Sequence, residues 1–493
     1  MSTDQGQGRG QGTRRAASRR RRSRAFLGGF AAVVGVLVVL GLAGAAVGSA
    51  QGPRVTAVQV DPDAAATASG ARLIVTMNQS LHTITAGQVT VQPAAEFTVD
   101  TAGRTMGVRF TLPLHDATDY TVTFHDVAGL GGGRTTTVTQ TFATPHTDVY
   151  LLQRGSAEDR IVRAGLDGSD PHAVLRADHI EDFRATSGHL VAVTLDAGGK
   201  TALVVTDLSG RHRRELPLPG DGTVTRLQSA DRGELIGYTY SDADPGAAGA
   251  RESVLYTASL KDSAADTKPA AVTVAGDDPR VADWRFVPDS DSILVLSYDG
   301  RMLLAGPSGD GAADLGTGTV IDGIARGSSV AYVERADGMV TVDLTDGTVA
   351  PLVTATRDGA DVPGHRGVVT PLPGSAGGSV QPYTVLDVAG GSGADSGAPE
   401  GTTVFRVAAD GGATPIFEMS VDDAIQQTCV SPSGQYAAIT VAPDSVHNDY
   451  DDYLLPMPQK VVTHIVSLAD GSEVHDFSGF DASWCQVPPT LGQ

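Results

Sequence analysis

Several residue types that carry chemistry are scarce in this chain. Of its 493 residues two are cysteine and two are tryptophan, and lysine occurs only at Lys200, Lys261, Lys268 and Lys460. Two cysteines exclude a disulfide-dense scaffold, and no cysteine and histidine cluster has zinc-ligand spacing. HExxH is missing, and so is the GxSxG elbow that exposes a hydrolase serine; no hydrolase-sized segment follows the last repeat. Gly198-Gly199-Lys200-Thr201 has the look of a phosphate loop, but Thr194 stands where the glycine six residues before Lys200 is required. That segment joins two apolar runs and is expected to be a hairpin turn.

Positive charge is also missing from most of the chain. The formal net charge is −21, yet residues 1–24 carry eight arginines against Asp4, a net of +7, so the remainder carries −21 − 7 = −28. An acidic body of this size disfavours nucleic acid as a partner and favours basic ones. Residues 25–47 then run without any charge. At about 1.5 Å per residue this stretch reaches roughly 34 Å, enough to cross a hydrocarbon core of about 30 Å. With arginines packed on its N-terminal side, residues 25–48 are expected to be a single membrane-spanning helix. The basic tail 1–24 would then lie in the cytoplasm and the rest outside. A cleaved export signal ending near Gly48-Ser49-Ala50 is the alternative.

After Pro53 the hydrophobic pattern shortens to alternating runs divided by turn residues, as half-buried strands require. Seven such runs cover 55–60, 72–77, 88–92, 96–99, 105–110, 120–124 and 135–142. They predict a β-sandwich over 53–145, with Tyr120 placed to bond an upstream backbone group. LIVTMNQSL, FTVDTAGRTMGVRFTLPL and ATDYTVTFHDVAGLGGG, in that order, resemble the Ig-like domains of bacterial S-layer proteins. That resemblance implies a spacer or adhesive role and no chemistry. His82, His115 and His125 have no second ligand at metal spacing.

Residues 146–493 repeat at a period of roughly 40–60 residues, the sign of a β-propeller. Opening strands fall near Asp182, Val224, Ala282, Ile321, Gly367, Ile425 and Phe480, so seven blades are expected, the last completed by strands from the start of the region. WRFVPDSDSILVLSYDG and CVSPSGQYAAITV resemble TolB-type or WD-type propellers. The fold class expected is therefore all-β: a transmembrane helix, an Ig-like sandwich, and a seven-bladed propeller closed by the C-terminal strand.

Pro288, Pro432 and Pro488 align the opening strands and bring Cys429 and Cys485 to equivalent positions of neighbouring strands. In an oxidising exterior these are expected to form a disulfide across the closure; two buried thiols are the alternative. Three long inserts, 242–251, 390–400 and 443–459, each join a second strand to a third and so leave one face of the ring. The third interleaves acids with aromatic and aliphatic residues, which makes His447, Asp449, Tyr450, Asp451, Asp452 and Tyr453 candidate binding residues. The alternative is that Tyr453 and Leu454 fold the loop back on its own blade. No catalytic residue, metal ligand or cofactor is expected. The function anticipated is a non-catalytic, membrane-anchored module that binds an extracytoplasmic protein or envelope component. A metal-dependent lactonase or lyase is the alternative, built on Asp182, Asp283, Asp322 and Asp481 around the channel.

Overall fold

A computed structural model describes residues 34–38, 52–230, 234–273, 278–307, 311–386 and 401–489. Of the apolar stretch 25–47, only residues 34–38 fall among these, and they are helical. The basic tail and insert 390–400 lie outside the described residues. Among the described residues, no helix is long and apolar enough to cross a membrane.

The N-terminal unit is a two-sheet β-sandwich. One sheet has the order β1 (Val55–Gln59), β2 (Arg72–Met77), β5 (Thr105–Phe110), β4 (Phe97–Ala102), and the other β3 (Val89–Gln92), β6 (Asp119–Val127), β7 (Thr136–Ala143). Their inner faces carry every second residue, for example Leu73, Val75 and Met77 against Tyr120, Val122 and Phe124, which form one buried core. The Tyr120 hydroxyl accepts a hydrogen bond from His115 N at 2.9 Å, tying the start of β6 to the chain before it. One helix, α1 (Pro62–Thr67), was not anticipated; Asp61 caps it by accepting from Ala64 N.

Seven antiparallel sheets of three to five strands then follow one another along the chain as blades of a β-propeller, with a two-stranded hairpin, Thr356–Arg357 and Ala360–Asp361, before the sixth. The second to fifth blades open at Ile180–Ala185, Gly222–Ser229, Val281–Phe286 and Val320–Ile324, and the seventh opens at Ala424–Val430. These five have four strands each, paired in chain order. Successive opening strands are neighbours around the axis. Middle strands are packed by blades on both sides, so they are mostly apolar; Ile293–Ser297 is buried at all five positions. Blade-to-blade contact is close enough to select residues. A Cβ on Gly237 of the third blade would lie 2.5 Å from the ring of Trp284, the buried indole of the fourth.

Two blades depart from expectation. The sixth opens not with one strand near Gly367 but with two fragments, His365–Arg366 and Thr370–Pro371, because the facing Pro382 has no N–H to donate and Val369 N bonds to Asp322 instead. The first blade has three strands, Asp148–Gln153, Asp159–Gly165 and His172–Ala177. Among the described residues the C-terminal segment adds to it no strand but a bridge between Phe480 and Leu152 and a bond from Ser483 N to Tyr150 O, since the chain turns at once, Cys485 N bonding to Ala482 O. The disulfide expected at this junction is present, Cys429 and Cys485 lying 5.3 Å apart between Cα atoms. Gly198-Gly199-Lys200-Thr201 forms the expected hairpin turn, with Asp196 Oδ1 accepting from Gly198 N and Lys200 N.

Candidate docking face and central cavity

In a meandering four-stranded blade, loops from first to second strand leave one face of the ring and loops from second to third leave the other. The sandwich sits over the first of these faces. Gln435 accepts from Asp116 N at 2.6 Å, and Glu96 accepts from Ser375 N at 2.7 Å; both propeller partners lie on first-to-second loops. A crevice of about 1120 Å³ remains between the two units.

The opposite face carries inserts 242–251 and 443–459, and among the described residues most exposed large apolar side chains of the propeller lie there. Tyr298, Leu386, Val421, Val446, Tyr450 and Leu454 lie on it, Val446 with 82% of its surface exposed. Val349, Val353 and Val474 lie at the outer rim. Val421 and Val446 belong to one patch, because Ser445 N bonds to Asp422 O and Asp444 N to Asp423 Oδ1. Asp422, Asp444, Asp449 and Asp452 surround this patch and are exposed.

Residues 443–461 divide into two parts. His447, Asp449, Tyr450 and Asp452 are exposed, and the His447 ring pairs with Asp444 at 2.8 Å, which raises its pKa. Asp451 and Tyr453 point inward and clasp the first and second blades rather than the loop's own. The Tyr453 ring is held between the Arg154 guanidinium, 3.7 Å from its centroid, and the His179 ring, 3.8 Å away. Its hydroxyl donates to the fully buried Asp159 at 2.8 Å. Burial, then this bond to a carboxylate, raises its pKa. Arg154 also pairs with Asp451 at 2.8 Å, and Glu181 accepts from Leu454 N and Leu455 N, both at 3.1 Å. The clasp and the disulfide therefore span the same junction of chain ends.

The four aspartates of the opening strands have different fates. Arg184 Nη1 donates to Asp182 at 2.9 Å and to Asp481 at 2.5 Å, all three being buried. Two carboxylates share one guanidinium here, and burial raises the proton affinity of both. Asp283 holds Arg226 at 2.6 Å and Arg285 at 2.5 Å. Asp322 accepts from Val369 N at 2.8 Å and, among the described residues, pairs with no arginine; burial pushes its pKa up to about 6. Among the described residues, no group of three or more His, Cys, Asp or Glu could hold a metal ion. A cavity of about 400 Å³ runs along the axis at the fifth, sixth and seventh blades, lined by Asp322, Arg285, Met419, Ile425 and Asp423 among others.

No family model and no curated protein matches the chain. Among solved structures, an oligogalacturonate lyase in complex with manganese is 9% identical, the match covering 85% of this chain and 98% of that one with a TM-score of 0.42. The Cps50 (Swd1) β-propeller domain of Myceliophteria thermophila is 11% identical, the match covering 62% and 87% with a TM-score of 0.38. What those proteins act on or bind does not transfer at such distances.

Proposed function

We propose that this chain is a non-catalytic extracytoplasmic docking protein. In this reading the apolar stretch 25–48 anchors it, the sandwich is an Ig-like spacer, and the seven blades form one ring. That ring offers its insert-bearing face to a protein or another envelope component. The observation that carries the reading is the concentration of exposed apolar side chains, ringed by acids, on the face that the sandwich leaves open. Patches of this kind exclude water when covered and so supply affinity, while the acids select a basic partner.

The geometry of the channel favours docking over a lactonase or lyase. Asp182, Asp283 and Asp481 are bound to arginines and do not converge on a vacant point. The test is a pair of charge substitutions, Val446→Asp with Leu454→Asp. Both side chains are exposed, so the melting temperature should stay within the range of surface changes while recovery of the cross-linked native partner falls at least tenfold. Unchanged recovery would contradict the reading.

A further inference from the structure

We infer that the axial cavity receives a lysine or arginine side chain from the docked partner, its cation held by Asp322. The inference rests on the docking reading and identifies the chemistry of the partner's contact segment. Asp423 and Val421 line the cavity and lie in the turn that opens the seventh blade, on the insert-bearing face, so its mouth adjoins the exposed patch. Beside them Met419 and Ile425 supply apolar wall, Asp322 supplies a carboxylate from the middle of its strand, and Ile324 and Pro371 line the end towards the sandwich. Such a sequence of groups matches a long aliphatic stem that ends in a single cation.

Asp322 differs from the other three opening-strand aspartates in its partners. Its Oδ2 accepts from Val369 N, and among the described residues no hydrogen bond or ion pair reaches its other oxygen. Arg285, which also lines the cavity, is committed elsewhere: Nη1 donates to Asp283 and to Trp284 O, and Nη2 to Ile321 O at 2.6 Å. The other charged groups that act on Asp322 are Glu334, which opposes its ionisation, and Arg366, which favours it; Arg326 and Asp423 line the same cavity. Asp322 is half-buried and, among the described residues, touches no cation, so an incoming ammonium or guanidinium offsets the hydration its carboxylate has lost. A multivalent metal ion is a poorer occupant, since it needs several oxygen ligands and the described residues cluster no three.

The test titrates the full-length chain with acetyl-Leu-Arg-amide and with the same peptide carrying citrulline in place of arginine. Citrulline keeps the shape and removes the charge. The arginine peptide should bind saturably at pH 7.5, and the citrulline peptide at least tenfold more weakly. Binding should weaken by about tenfold between pH 7 and pH 5 as Asp322 takes up its proton. Asp322→Asn should abolish the preference for arginine, and Met419→Trp, which fills the cavity, should abolish binding of both peptides; the second variant decides the matter if the first does not fold. Partner recovery reads the docking face, whereas a dipeptide too short to cover that face reads the cavity, so failure of the one and failure of the other are distinguishable. Equal binding of the two peptides, or arginine preference retained in Asp322→Asn or Met419→Trp, would overturn the inference.

Discussion

Replacing Tyr453 by phenylalanine removes one hydroxyl and leaves the ring that Arg154 and His179 enclose. The hydroxyl donates to Asp159, whose side chain also accepts from Gly155 N at 3.1 Å and Ile180 N at 2.7 Å. A hydrogen bond to a buried carboxylate contributes roughly 1.5–3 kcal/mol, and Asp159 keeps two of three donors, so the expected cost is about 2 kcal/mol. That cost falls on the clasp, because the ladders of the first and second blades do not depend on it. Hydrogen exchange resolves the two cases. The amides of Leu454 and Leu455, which bond to Glu181, should exchange about 30-fold faster in Tyr453→Phe, since about 2 kcal/mol of local opening energy converts to that factor. Amides in the central strands should be unaffected. Tyr453→Ala also loses the contact with the guanidinium, a further ~1–2 kcal/mol, and should expose the loop to protease. If exchange in Tyr453→Phe matches the native chain while partner binding falls, Tyr453 is a contact residue and the clasp argument fails.

Two other predictions follow from the closure and the cavity. Replacing Cys429 and Cys485 together by alanine frees a segment of 56 residues, which costs about 4 kcal/mol in the chain-entropy model; proteolysis should then begin at the C-terminal segment, and cleavage that begins in the blades instead would refute the closure role. Asp322 binds its proton more tightly folded than unfolded, so its contribution favours the folded state below about pH 4 and turns unfavourable as pH rises to about 6. Asp322→Asn should therefore match native stability at pH 4 and exceed it by up to about 3 kcal/mol at pH 8 in denaturant titrations, and equal stability at both would show that burial does not set the shift.

Local signals carried much of the fold. Alternation marked all seven sandwich strands, because one face of each sheet is wet, and turn residues marked the starts of the second to fifth and seventh blades. The cysteine pairing was legible because aligned prolines fix the register of neighbouring strands. Helix α1 was missed, because six residues are too few for a helical period to show. The clasp was not legible: Tyr453 meets Asp159 across 294 positions, and nothing in either neighbourhood announces the other. The arginines that occupy the channel aspartates were nearer to hand. Asp182 with Arg184 and Asp283 with Arg285 are two apart on one strand, the spacing that puts side chains on the same side.

The docking face is tested most directly by placing one photo-activated cross-linking residue at a time in the full-length chain, in intact cells. At position 446 or 450, on the insert-bearing face, illumination should yield one discrete adduct. At position 130, an exposed apolar site on the sandwich, it should yield none. Adducts of equal yield at positions 130 and 446, or none at 446 and 450, would contradict the assignment of that face to partner binding.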